Sequence, residues 1–267
     1  MIVAAAICPS PPLLTSGMTG QAEILPDLRV ACATAVARLL AAAPDAVAVV
    51  GPAEATASFD PAGELSLASY APALRPARSL SANRMKRDAG SSAAAPAFPP
   101  VPPPSPAPVL PLSLGIGAML LDEAGYQGPR TYEGIAEYEP AAACLVLGAK
   151  IAASAPRVAL LAMGDGTARR SASAPGYLDE RAAPFDEAVE RAVRTADLRA
   201  LAALDPTLAA DLLAAGRPAW QSLAGALSIP LHPAGDRPRA AGRLQTEVLY
   251  SGAPLGVAYL VATLIPQ

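Results

Sequence analysis

Three short turns hold the residues best able to do chemistry. Cys8-Pro-Ser10 ends one apolar run, Gly51-Pro-Ala-Glu54 ends a second, and Gly164-Asp-Gly-Thr167, followed closely by Arg169, ends a third. A serine hydroxyl becomes a nucleophile only beside a base. The one histidine, His232, sits among Pro230, Leu231 and Pro233, a rigid-loop setting that suits a surface or packing residue better than a Ser10/His232/Asp165 triad. No Gly-x-Ser-x-Gly elbow is present. Cys8 has apolar neighbours and no nearby cation, so its thiol reads as a small hydrophobe. That leaves Ser10, Asp165, Thr167 and Arg169 as hydrogen-bonding groups around a pocket, with no assigned catalytic roles.

Metal and phosphate chemistry find little support. One histidine per chain rules out a two-histidine, one-carboxylate iron site, and there is no Cys-x-x-Cys or His-Glu-x-x-His for zinc. Glu54, Asp60, Asp165 and Glu247 offer oxygen ligands that would suit magnesium or calcium, but their spacing does not single out a site. Gly115-Ile-Gly117 lacks the third glycine of a dinucleotide loop, and no Gly-Lys-Ser/Thr occurs. The expectation is no metal and no cofactor.

Composition narrows the partners. A net charge of -3, a pI near 5.3 and an aromatic content of 4% argue against nucleic acid and anionic membrane surfaces. Three widely spaced cysteines, Cys8, Cys32 and Cys144, read as reduced thiols of a cytoplasmic protein. The first apolar run stops at Cys8 and has no positive leader segment. The uncharged stretch from Val248 to Gln267 is broken by Ser251-Gly-Ala-Pro254 and Gly256 in the manner of two strands about a turn. No membrane span is expected.

The elements that must position the three turns follow from periodicity. Unalternated apolar runs at Ile2–Ile7, Ala46–Val50 and Val158–Met163 read as strands covered on both faces. Leu25, Leu28, Cys32, Val36 and Leu39 mark an amphipathic helix between the first two, which makes a β-α-β unit and hence a parallel sheet. Further helices are expected over Leu112–Leu121, from Pro140 to Pro156, and over Pro184–Thr195. The last of these offers Glu187/Arg191 and Glu190/Arg194 as pairs four residues apart. Asp205-Pro206 and Gly216 bracket another helix, and Pro218–Leu227 continues the helical region. Strands are expected at Arg130–Ile135, Val248–Tyr250 and Leu255–Leu264, with one edge strand within Leu65–Tyr70. The predicted fold is one α/β domain over 1–267, a mostly parallel sheet flanked by helices. Alanine and glycine are abundant, so its packing must rely on close contact between elements. In such sheets ligands bind outside the carboxyl ends of the strands, where all three turns lie.

The stretch 75–109 departs from this pattern. It starts basic, with four Arg and one Lys against one Asp over 75–88, and becomes proline-dense at Pro99-Pro-Val-Pro-Pro-Pro104. It reads as a flexible, solvated insertion.

The chain also carries a resemblance. Ala4-Ala-Ala-Ile-Cys-Pro-Ser-Pro-Pro-Leu-Leu14, Leu110-Pro-Leu-Ser-Leu-Gly-Ile-Gly117, Met163-Gly-Asp-Gly-Thr-Ala-Arg-Arg170, Ala174-Pro-Gly-Tyr-Leu178 and Gly256-Val-Ala-Tyr259 together resemble the catalytic, B-type subunit of class III extradiol dioxygenases, in particular an actinobacterial branch. The resemblance implies that subunit's α/β fold, frequent dimers, and ring opening of catechols by O2 at Fe(II) held by two His and one Glu. A further His is the acid/base. This chain differs at those positions. Ser10 stands where the first ligand is expected, Gly51–Ala55 supplies no second histidine, Ala168 replaces the acid/base, and Glu247 is a loose match for the carboxylate. A serine hydroxyl is a poor Fe(II) ligand. The expectation is a dioxygenase-like protein without Fe(II) or ring cleavage that binds a small aromatic or polar ligand, or acts as a homodimer or partner subunit. The alternatives are an iron-free enzyme using the same pocket, and an Fe(II) enzyme whose ligands a partner chain completes.

Overall fold

The computed structural model describes residues 1–15, 24–67, 108–228 and 244–267. Nine strands and seven α-helices are present among these residues. The strands are β1 (Ile2–Cys8), β2 (Ala46–Ala53), β3 (Ala57–Phe59), β4 (Glu64–Leu65), β5 (Val109–Leu110), β6 (Arg130–Ala136), β7 (Val158–Met163), β8 (Leu244–Gly252) and β9 (Tyr259–Pro266). The helices are α1 (Pro26–Ala41), α2 (Leu112–Glu123), α3 (Ala141–Ala152), α4 (Ala182–Arg194), α5 (Leu198–Ala202), α6 (Pro206–Asp211) and α7 (Arg217–Leu227).

Seven strands form one sheet in the order β3-β6-β2-β7-β1-β9-β8. Its centre is parallel: β1 pairs with β7, β7 with β2, and β2 with β6. Both margins are antiparallel, with β3 on β6 at one side and β9 and β8 beyond β1 at the other. The chain is therefore α/β, with a mixed sheet that is parallel where the site lies. The three unalternated runs are its three middle strands, and β7 is buried along its whole length. One apolar cluster, including Val189, Trp220 and Leu223, fills one face. The other, including Leu28, Val36, Leu114 and Leu121, fills the opposite face.

Several boundaries differ from expectation. β2 continues through Gly51-Pro52 to Ala53, because its ladder with β7 ends at Val50 while its ladder with β6 runs on to Ala53. Past Val50 the ladder to β7 has ended, so the missing N–H of Pro52 does not interrupt that side. The edges of this sheet are β3 and β8; of the expected edge strand at Leu65–Tyr70, Leu65 ends β4, which pairs with β5 in a separate ladder, and residues 68–70 lie outside those described. Gly216 does not stop α6, which ends at Asp211; it is instead the N-cap of α7. The short helix α5 is additional, its N-cap Asp197 accepting from the Ala200 N–H. On α4, Glu190 pairs with Arg194 at 2.7 Å, whereas Glu187 and Arg191 form no ion pair. Most of the 75–109 insertion lies outside the described residues, and its last residue, Val109, pairs with Glu64 in a small parallel ladder. No helix among the described residues is long and apolar enough to cross a membrane.

Close contact is most pronounced between α3 and α7. A Cβ at Gly148 would lie 1.9 Å from the Ser222 carbonyl oxygen, and one at Gly225 would lie 2.3 Å from the Leu145 carbonyl oxygen. Each helix thus presents a glycine to the other's backbone, which lets α7 settle over the sheet and carry its N-terminus to the strand ends. Gly148→Ala is expected to cost about 1–3 kcal/mol through overpacking. Chemical denaturation measures this, and an unchanged midpoint would contradict the close approach.

Candidate functional site

The turn after β1 and the turn after β7 meet directly. Ser10 donates its backbone N–H to Asp165 Oδ1 at 2.7 Å, and Gly164 donates its N–H to the Cys8 carbonyl at 3.0 Å. Adjacent parallel strands place these two turns side by side, since Cys8 is in register with Met163. Ser10 is buried, and Asp165 is half-buried. Burial raises the Asp165 carboxyl from 3.8 to about 6, and the Ser10 N–H opposes that rise only in part. Tyr259, at the start of β9, is buried close enough for the Asp165 charge to add to the burial that holds its phenol protonated.

The third wall comes from α7. Gly216 donates its N–H to the Asp165 carbonyl at 2.8 Å. A Cβ on Gly164, whose φ is +151°, would sit 2.4 Å from the Gly216 Cα, so the β7 turn and the start of α7 touch backbone to backbone. Beyond this contact a cleft of 460 Å³ opens, lined by Pro52, Ala53 and Glu54 from β2, Glu137 from the β6 end, and Leu213 and Ala215 ahead of α7. Leu213 holds φ +56°, an uncommon conformation for a branched side chain. The cleft wall is thus mostly apolar with two carboxylates.

A buried arginine sets the Glu137 wall. Arg217 is 1% exposed and donates to the Glu139 carbonyl (2.6 Å), the Glu137 carbonyl and Gln221 Oε1 (2.8 Å). Gln221 in turn donates to the Ala202 and Leu204 carbonyls at 3.1 and 2.9 Å. Burial lowers the Arg217 pKa, and the nearby Cys144, Glu137 and Glu139 counter it. Cys144 lies 3.9 Å from this guanidinium, yet burial dominates and holds its thiol above the ordinary range. Cys8 is likewise held protonated, first by its contact with Cys32 and then by burial. Neither thiol is an activated nucleophile.

Of the residues singled out from sequence, Ser10 and Asp165 come together. Thr167 and Arg169 lie in the same loop but are committed to holding it. Thr167 is fully buried and bonds Asp186 through both its N–H (3.0 Å) and its hydroxyl (2.7 Å), and Arg170 reaches the same carboxylate at 3.0 Å. Arg169 donates to the Gly176 carbonyl at 2.5 Å. Glu54 lines the cleft, one strand beyond β7. Glu247 does not join them: it lies mid-way along β8, two strands outside β1, and its carboxylate bonds Arg38 at 2.5 Å. Glu247, the loose match for the carboxylate ligand, therefore lies apart from Ser10, and no three His, Cys, Asp or Glu side chains gather to hold a metal among the described residues. A lone carboxylate beside a serine lacks the imidazole donors that suit Fe(II). His232 lies outside the described residues.

Asp186, Glu137, Leu213 and Arg217 escaped the sequence reading, and Tyr259 entered it only within the Gly256–Tyr259 stretch of the resemblance. Of those four only Arg217 left a local signal, the one charge of its helix, placed at the dipole end that disfavours a cation.

No family model matches the chain, and no curated protein matches it at a significant level. Thirteen solved chains resemble it. One is an uncharacterised protein from Escherichia coli K12, 16% identical over 98% of this chain and 99% of that one, with a TM-score of 0.46.

Asp165 generates a stability prediction. Its carboxyl is harder to ionise folded than unfolded, so its unfavourable contribution is absent below pH 3.8 and complete above about pH 6. Between those values wild-type stability should fall as pH rises. Asp165→Asn keeps the acceptor for Ser10 and removes the charge. It should match wild type near pH 4 and exceed it at neutral pH by up to about 3 kcal/mol, at about 1.4 kcal/mol per pH unit. Denaturant midpoints at both pH values test this, and a variant less stable at neutral pH would refute it.

Proposed function

We propose that this chain is a class III extradiol dioxygenase-like protein that keeps the crevice at the carboxyl ends of its parallel strands without the iron chemistry. It binds a small aromatic or polar ligand there. The observation that carries the reading is the Ser10 N–H to Asp165 Oδ1 bond at 2.7 Å. It joins two of the strand-end turns around a half-buried carboxyl whose ionised form is costly. Natural proteins retain such costs chiefly where a site uses them. The largely apolar cleft beside it, entered from β2, β6 and the approach to α7, matches the usual composition of a small-molecule site.

Absence of Fe(II) chemistry rests on the donors. Ser10, Glu54 and Glu247 stand at or near the positions the resemblance assigns to ligands, and Glu247 is already paired with Arg38. A second reading, iron-free catalysis, is favoured by one observation: a carboxyl at about 6 is poised near neutral pH as a general base.

The single tryptophan provides the test. Its ring lies against Gly216, next to the cleft-wall residue Ala215. Titrating catechol into protein loaded anaerobically with Fe(II) and then desalted should change Trp220 fluorescence saturably, without stoichiometric iron and without O2 uptake. Ala215→Leu, which narrows the cleft, should weaken binding about tenfold, equivalent to about 1.4 kcal/mol. No saturable response up to about 10 mM would sink the binding reading. Retained iron with O2 consumption would restore the dioxygenase reading with ligands from a partner chain.

A further inference from the structure

β2 and β6 run parallel and stay in register to their last residues, Ala53 beside Ala136. The next residue on each is a glutamate, so Glu54 and Glu137 leave two neighbouring strands at the same end. Both are exposed, and both line the 460 Å³ cleft. Like charges set side by side on adjacent strands repel. The ion pairs among the described residues use other acids, Asp122, Asp179, Asp186, Asp211, Glu190 and Glu247, and leave this pair out. Glu139, two residues further on, is taken by the Thr56 hydroxyl. One cation stands behind the wall: Arg217 is close enough to feel the Glu137 charge. It is 1% exposed, however, and its donors are spent on the Glu137 and Glu139 carbonyls and on Gln221, so no occupant of the cleft can reach it. One buried cation against two exposed carboxylates leaves the cleft negative. The rest of its lining, Pro52, Ala53, Leu213 and Ala215, is uncharged and apolar.

We propose that the cleft takes an organic cation, a protonated primary amine on a small apolar or aromatic body. This rests on the crevice being a small-molecule site and adds the sign of the ligand's charge. An ammonium between Glu54 and Glu137 replaces their mutual repulsion with two attractions, and its three N–H donors suit carboxylate oxygens. The body of the ligand then covers the apolar lining. A bare divalent ion fits less well. It wants six or more oxygen ligands, whereas no three acidic side chains gather here among the described residues, and it would leave the apolar lining uncovered. An anion would meet two carboxylates and no lining cation.

Three probes of similar shape and different charge test this at neutral pH through Trp220 fluorescence: phenethylamine, 2-phenylethanol and 3-phenylpropionate. The amine should bind about tenfold more tightly than the alcohol, the scale of two exposed charge pairs, and the propionate most weakly. High salt should shrink the margin. Glu54→Gln and Glu137→Gln should each cut the amine's advantage about threefold, and the double variant should abolish it with alcohol binding unchanged. Neither substitution disturbs the Arg217 bond, which uses the Glu137 main chain. Ala215→Leu should weaken amine and alcohol alike. Amine and alcohol binding equally would overturn the cation preference and leave the pocket standing. An amine preference that survives the double substitution, or that Ala215→Leu does not touch, overturns it too. Silence from all three probes while catechol binds removes the cation preference alone; silence from catechol as well removes the pocket with it.

Discussion

A carboxylate that accepts a backbone amide across two neighbouring strands organises this end of the molecule. Asp165 receives the Ser10 N–H with its side chain and the Gly216 N–H with its carbonyl, so one residue ties β1, β7 and α7 together. The Gly164–Gly216 contact exists because neither residue has a Cβ to hold the backbones apart. From this junction the loop after β7 is held outward by further pairs. Gly166 donates to the Ala258 carbonyl, Ala258 to the Thr167 carbonyl, and Arg170 to the Gly256 carbonyl. Asp186 clamps Thr167 and Arg170 from α4. The loop is rigid because its successive residues answer to different elements.

Arg217 does for the far wall what Asp165 does for the near one. A guanidinium buried among carbonyls is expensive, and it is tolerated because its donors are met by Glu137, Glu139 and Gln221. Those bonds hold the β6 end, and with it Glu137, against the start of α7. The elements that line the cleft are thus held from behind by one half-buried acid and one buried arginine. Each is satisfied mainly by main chain. Neither charge is cancelled by an oppositely charged side chain in a salt bridge, which leaves the region between them electrically uneven, a setting suited to orienting a polar ligand.

The sheet centre was legible in the sequence because runs such as Val158–Met163 are apolar without alternation, as a strand covered on both faces requires. α1 was equally legible from its three- and four-residue steps, and Cys32 is buried on its stripe as expected. The boundaries that failed did so for identifiable reasons. Pro52 looked like a strand end, but a proline is harmless where one neighbouring ladder has already stopped. Gly216 looked like a helix stop, whereas its small size serves the contact with Gly164. At the site, strand-end logic placed Ser10 beside Asp165, because the turn positions follow from register. It could not separate ligand-facing residues from those holding the loop: Thr167 and Arg169 carry suitable groups, but their partners Asp186 and Gly176 are contributed by tertiary contacts that no local spacing reveals.

The same distinction bears on the proposed loss of iron. Exchanging an imidazole for Ser10 would remove a metal donor and leave the turn its shape, because the bond that shapes it uses the Ser10 main-chain N–H and would form with any residue there except proline. The turn geometry is therefore independent of the side chain at that position. Loss of metal ligation need not loosen the crevice, and a carboxyl confined there can still discriminate between ligands that donate a hydrogen bond and ligands that cannot. A metalloenzyme whose site is held together by main-chain bonds of this kind can lose its metal by substitution at a few side chains and remain folded, since the metal was never what closed the site.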